Sequence, residues 1–120
     1  MARILIVDDS PTEVHVFKTI LLKNNFEVSV ATNGEEGVKM ALENKPDLIL
    51  MDVVMPGKNG FQATRDLSRN PATANIPVII VTTKDQETDK IWGMRQGAKD
   101  YIIKPASEAD LLARISKAMG

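Results

Sequence analysis

Short aliphatic runs alternate with stretches in which apolar side chains recur every three or four positions, and the alternation repeats five times along the chain. The first run, Ile4 to Val7, stops at Asp8-Asp9, and Ser10-Pro11-Thr12-Glu13 then offers a capping box with proline at the first helical position. A helix is predicted from there, with Val14, Phe17, Ile20 and Leu21 on its apolar face and Asn24-Asn25 at its close. Phe26 to Val30 reads as a second strand, and the Asn-x-x-Glu start at Asn33 opens a second helix, with Val38, Met40, Ala41 and Leu42, that runs to about Asn44.

Asp47 to Met55 is apolar on both parities, as expected of a central strand covered on both faces by helices. Pro56 to Gly60 makes a turn, and Phe61, Thr64, Arg65 and Leu67 carry a third helix to about Arg69. Pro77 to Thr82 is a fourth strand. The helix after it is read as opening near Asp85 and ending at Gly97, a residue favoured just past helix ends. Lys99 to Ile103 is a fifth strand, Lys104-Pro105 a turn, and Ser107-x-x-Asp110 starts a last helix bearing Leu111, Leu112, Ile115 and Met119.

This (βα)₅ pattern predicts an α/β fold: a doubly wound parallel sheet in the order 2-1-3-4-5, helices on both faces, in a three-layer flavodoxin-like sandwich. Strands 1 and 3 are then neighbours. The binding crevice of such a sheet lies outside the carboxyl ends of its strands, where the strand order reverses.

Composition narrows the functions available. A chain of 120 residues without a Pro/Gly/Ser linker is read as one domain, 1–120, with no output module. The formal net charge of -1 gives no field to draw in nucleic acid or an anionic membrane. The absence of cysteine excludes thiol catalysis and thiolate metal sites, and fits a reducing, cytoplasmic setting. No apolar run approaches the roughly 20 residues that cross a bilayer, so membrane insertion is not expected.

The strand ends carry the candidate chemistry: Asp8 and Asp9 after strand 1, Asp52 at strand 3, Thr82 after strand 4 and Lys104 after strand 5. Three carboxylates in one crevice repel one another unless a cation or a proton intervenes. Hard oxygen ligands without Cys or a nearby His select Mg²⁺, Mn²⁺ or Ca²⁺, and two or three carboxylates plus water suit octahedral Mg²⁺, with Mn²⁺ able to substitute. Beside such an ion Asp52 could act as a nucleophile toward a phosphoryl group whose remaining oxygens meet the Lys104 ammonium and the Thr82 hydroxyl.

Four segments, Val-Asp-Asp-Ser at 7–10, Leu-Met-Asp-Val-Val-Met-Pro-Gly at 50–57, Val-Thr-Thr at 81–83 and Tyr-Ile-Ile-Lys-Pro at 101–105, together resemble the CheY-like response-regulator receiver domain over essentially the whole chain. The resemblance implies direct Mg²⁺ binding by Asp9, Asp52 and the backbone carbonyl of Val54, with Asp8 acting largely through water. It implies Asp52 as phosphoacceptor, Lys104 paired with the phosphoryl group, Thr82 and Tyr101 as switch residues, and a cis Lys104-Pro105 bond. The surface of helix 4, strand 5 and helix 5, with Trp92 and Tyr101, would then read out the change.

Asn-Gly-Phe-Gln-Ala-Thr-Arg at 59–65 and the stretch 77–90 further resemble the stand-alone receivers of type IV pilus twitching motility. A CheA-like histidine kinase as phosphodonor is implied, with the pilus machinery as target or a phosphate-drain role, in a monomer or weak dimer. Val54 and Lys84, each two residues past a site residue, depart from commoner receivers. A branched Val54 should obstruct the hydrolytic water and slow self-dephosphorylation.

Plainer readings stand beside these. Asp8-Asp9 could simply complement the dipole of helix 1, Thr82 could be an ordinary strand residue, and Lys104 an ordinary surface lysine. Tyr101 and Trp92 could be packing residues, His15 belongs to a solvated face, and the six methionines read as core filling. The competing functions are a Mg²⁺-dependent phosphohydrolase with an aspartyl intermediate, a flavin carrier on the same fold, and a scaffold that is never phosphorylated. The flavin reading lacks a Ser/Thr/Gly phosphate loop after strand 1, and the phosphohydrolase reading lacks a nucleophile on strand 1.

Overall fold

Successive side chains of a strand point to opposite faces of its sheet, and both parities of the inner strands are apolar here, so the sheet must be buried on both sides. The computed structural model, which describes residues 1–120, resolves this as five parallel strands in the order β2-β1-β3-β4-β5. The strands are β1 (Arg3–Val7), β2 (Glu27–Ala31), β3 (Leu48–Met51), β4 (Val78–Thr82) and β5 (Asp100–Ile103). Between and after them lie α1 (Pro11–Lys23), α2 (Gly34–Asn44), α3 (Gly60–Arg69), α4 (Glu87–Arg95) and α5 (Glu108–Met119).

One parity of the strands, with Ile4, Ile6, Leu48, Leu50, Ile79 and Val81, packs with Phe17 and Leu21 of α1 and Leu111 and Ile115 of α5. The other parity, with Leu5, Val7, Ile49 and Met51, packs with Ala41 of α2 and Ala63 and Leu67 of α3. A smaller cluster joins Val53, Ile80, Ala98 and Tyr101. Transfer of these side chains out of water supplies the drive for the three-layer arrangement.

The helix starts follow their caps. Ser10 accepts from the Glu13 N–H, Asn33 from Glu36 N–H and Ser107 from Asp110 N–H. The start of α3 is a full capping box, with the Asn59 side chain accepting from Gln62 N–H and the Gln62 side chain accepting from Asn59 N–H, both at 3.0 Å.

Several boundaries differ from the sequence reading, those of β1, β4 and β5 by a single residue at the start. β3 ends at Met51, and Val53 and Met55, although apolar, are buried in the loop after the strand rather than in the sheet. α4 begins at Glu87 and ends at Arg95, because Gln86 and Asp89 form its capping box and the chain turns at Gln96 before the positive φ of Gly97. β2 pairs from Glu27 to Ala31, one residue later than read. The methionines are corrected too: Met51 and Met55 are buried, whereas Met1, Met94 and Met119 are exposed.

Candidate functional site

Parallel pairing of β1 with β3 in register from Ile4–Leu48 to Val7–Met51 brings the carboxyl ends of these strands side by side. Asp52 N–H donates to the Val7 carbonyl at 2.9 Å and Asp8 N–H to the Ala31 carbonyl at 3.0 Å, so both acids are anchored by their own backbones. Ligand oxygens of Asp8, Asp9 and Asp52 all lie within 4.8 Å of one another. The sequence placed these three together at one crevice, and the geometry does the same.

Gly60 sets the depth of the crevice. Its N–H donates to the Val53 carbonyl at 3.0 Å. A Cβ at this position would lie 1.9 Å from the Asp52 carbonyl oxygen, so only glycine lets the first turn of α3 press against the loop that carries Asp52.

Asp52 is 9 % exposed. Burial pushes its carboxyl above the ordinary value; Lys104 opposes the shift, Asp8 adds to it, and the Val53 N–H and the Thr82 hydroxyl oppose it in smaller measure. One Asp52 oxygen, Oδ1, accepts from Val53 N–H at 2.8 Å.

Lys104 reaches in from the end of β5. Its N–H donates to the Thr82 carbonyl at 2.8 Å, the Lys104-Pro105 bond is cis, and the side chain is nearly buried with its ammonium 5.8 Å above the Phe17 ring. Nζ donates to Asp8 Oδ2 at 2.9 Å and lies 3.7 Å from both Asp52 Oδ2 and Glu13 Oε2. Lys104 is therefore not the ordinary surface lysine of the plainer reading.

Glu13 went unnoticed in the sequence because the capping-box pattern accounted for it. Its carboxylate does not complete that box: Ser10 N–H donates to Asp8 Oδ1 at 2.9 Å instead, and the Glu13 side chain turns toward Lys104.

Thr82 is fully buried at the end of β4, and its hydroxyl accepts from Lys84 N–H at 3.3 Å. Tyr101 needs a correction as a surface residue. It is 4 % exposed, packed against Gly93 of α4, with its hydroxyl donating to the Lys84 carbonyl at 2.8 Å. Burial, and then the negative charges of Asp89, Asp52 and Asp85, push this phenol up to about 12. The exposed part of that face is Trp92, at 49 %, with Ile91, Met94 and Ile103. Val54, two residues past Asp52, is 59 % exposed, and His15 is exposed on α1 as read.

The donor set of carboxylates without His or Cys fits a hard divalent cation and suits Mg²⁺. A surface concavity of about 680 Å³, lined in part by Met1, Arg3, Phe26, Val28 and Pro46, lies at the opposite end of the sheet. Converging charged groups and a perturbed carboxyl meet at the carboxylates rather than in that hollow, which makes the carboxylates the candidate site.

Residues 4–116 match the response regulator receiver domain family. The chain is 60 % identical over 116 residues to protein PilH of Pseudomonas aeruginosa, a match covering 97 % of this chain and 96 % of PilH. It is 41 % identical over 95 % of its length to response regulator PleD of Caulobacter vibrioides, of which it covers 25 %. Among solved structures it is similar to the receiver domain of the sensor histidine kinase PA1611 of Pseudomonas aeruginosa, which has a magnesium ion coordinated in the active site cleft. That match has a TM-score of 0.92 and 28 % identity over 99 % of this chain and 98 % of that one. The chemotaxis protein CheY4 of Vibrio cholerae is similar at TM-score 0.92 and 28 % identity, over 98 % of each chain.

Proposed function

The chain belongs to the response regulator receiver domain family, and from that membership we propose that Asp52 accepts a phosphoryl group in a histidine-kinase phosphorelay. The observation that carries the reading is the meeting of Asp8, Asp9, Asp52 and Lys104, supplied by three strand ends, around one nearly buried carboxylate.

An ionised Asp52 oxygen attacks the phosphorus of a phosphohistidine. The O–P bond forms as the P–N bond breaks, and the bonding pair leaves on the imidazole nitrogen. Asp8, Asp9, Asp52 and the Val54 carbonyl would hold the Mg²⁺, which when bound neutralises charge on the phosphoryl oxygens. Lys104 then leaves Asp8 for a phosphoryl oxygen, and the Thr82 hydroxyl donates to another. Attack by water on phosphorus releases inorganic phosphate and restores Asp52, so the chain acts as a signalling module whose only turnover is its own dephosphorylation.

The output surface is that of α4, β5 and α5. Tyr101 acts from beneath it through its bond to the Lys84 carbonyl, and Trp92 offers an exposed anchor of a type enriched at binding hot spots. Similarity to PilH over nearly the whole of both chains supports a stand-alone receiver in a cytoplasmic type IV pilus system, served by a CheA-like kinase and acting on a protein target or as a phosphate drain. No helix is long and apolar enough to cross a membrane.

Incubation with acetyl phosphate and Mg²⁺ followed by intact-mass measurement tests the reading. One phosphoryl group should be gained by the wild type and none by Asp52→Asn. A wild type that gains none, or a variant that gains one equally, rules it out.

A further inference from the structure

Lys104 is the only cation within ion-pair distance of the carboxylates at this crevice, and more than one acid claims it. Its ammonium donates to Asp8 at 2.9 Å and stands as close to Glu13 as to Asp52, 3.7 Å in each case. Glu13 lies on the α1 side of the crevice. Its side chain is free for this contact because the Ser10 N–H that would hold it in a capping box is taken by Asp8.

We propose that Glu13 is a positioning residue, which holds the Lys104 ammonium on the α1 side of the crevice and competes for it with the phosphoryl group on Asp52. The inference rests on the phosphoacceptor reading above and deepens it. Lys104 must shift its partnership from Asp8 and Glu13 to a phosphoryl oxygen when Asp52 is loaded. Every carboxylate that attracts the ammonium back toward α1 raises the cost of that shift, by Coulomb attraction across the few ångströms involved. Asp8 cannot be tuned freely, because it also belongs to the metal cluster. Glu13 lies outside that cluster and, with a side chain 38 % exposed, can vary without emptying a buried site. It sets how readily the loaded state forms rather than whether it forms.

The size of the effect follows from exposure. Partly exposed ion pairs of this kind change an equilibrium by about 1.4- to 5-fold. Glu13→Gln keeps the side-chain length and the Glu13 N–H bond to Ser10 while removing the charge. With Mg²⁺ saturating, the affinity for beryllofluoride, read by fluorine-19 NMR of the bound adduct, should rise about 1.4- to 5-fold over wild type. In the metal-free protein the nitrogen-15 resonance of the Lys104 ammonium should move in Glu13→Gln and stay in place in Glu108→Gln, whose carboxylate pairs with Lys23 instead.

Unchanged or weaker beryllofluoride binding by Glu13→Gln overturns the proposal. So does a Lys104 resonance that ignores the substitution. A wild type that binds no beryllofluoride at all would instead defeat the phosphoacceptor reading. Circular dichroism of the variant confirms that it is folded, and Glu13→Asp, whose shorter carboxylate falls back from Lys104, should move both readouts in the same direction as Glu13→Gln.

Discussion

Lys104 Nζ lies 2.9 Å from Asp8 Oδ2 and 3.7 Å from Asp52 Oδ2, so the buried ammonium is committed first to Asp8 and only second to Asp52. Asp52 is left the less compensated of the two. Burial lifts its carboxyl pKa above 3.8, with Asp8 adding to the shift, and Lys104 at the longer distance offsets only part of it.

That imbalance predicts the effect of Asp52→Asn in the metal-free protein. The folded chain holds the Asp52 proton more tightly than the unfolded chain. The stability from this group is full below the unfolded pKa near 3.8 and is lost as the pH rises through Asp52's own higher value. Asp52→Asn should therefore raise Tm by a few degrees at neutral pH with chelator present, and the gain should shrink as the pH falls toward 4. Thermal unfolding followed by circular dichroism decides; a lower Tm at neutral pH contradicts the account.

Gly60→Ala should damage the site and the fold together. The added Cβ would sit 1.9 Å from the Asp52 carbonyl oxygen and 2.8 Å from Val53 Cα, both backbone atoms that cannot move aside. The cost should reach or exceed about 3 kcal/mol, the upper end of ordinary overpacking. Urea unfolding measures it, and a loss below about 1 kcal/mol would show that α3 does not press on this loop as described.

Tyr101 is the single tyrosine, so its ionisation can be followed by absorbance alone. The phenol should titrate near 12 in the folded protein rather than near 10. The neutral form is the one the fold favours, so the stability it contributes is whole below pH 10 and declines as the pH climbs from there toward 12. Titration at the ordinary value would mean that the ring is not held against Gly93 and the Lys84 carbonyl.

Val54→Asn tests the control of phosphate lifetime. The residue is 59 % exposed two positions past Asp52, where a branched apolar group displaces water and an amide would hold it. The lifetime of the phosphorylated form, followed by release of inorganic phosphate, should shorten several-fold. A lifetime unchanged or lengthened would remove Val54 from the hydrolytic path.

Much of this architecture was legible in the sequence because local chemistry and global fold agree. Ser10, Asn33 and Ser107 announce the starts of α1, α2 and α5, and each side-chain oxygen accepts from the N–H three residues on, although Glu13 does not close the box read at Ser10. The end of β3 was not legible, since Val53 and Met55 are buried in hydrophobic clusters from the loop after the strand, and Asp47 to Met55 scans as one strand. The α4 face misled in the other direction. Met94 reads as core filling but stands in solvent beside the exposed Trp92, because Gly93 is the residue that gives the helix its close approach to Ile80 and Tyr101. Asp8, Asp9, Asp52 and Lys104 could be found as strand-end residues, whereas Glu13 could not. Its role depends on which acceptor the Ser10 N–H chooses, and a sequence pattern does not record that.

The central claim is that Asp52 carries the phosphoryl group, and borohydride trapping tests it most directly. Reduction of an aspartyl phosphate leaves homoserine in its place. After treatment with acetyl phosphate and Mg²⁺, peptide mapping should find homoserine at position 52 and aspartate unchanged at Asp8 and Asp9. Homoserine at position 8 or 9, or at none of the three, would contradict the account.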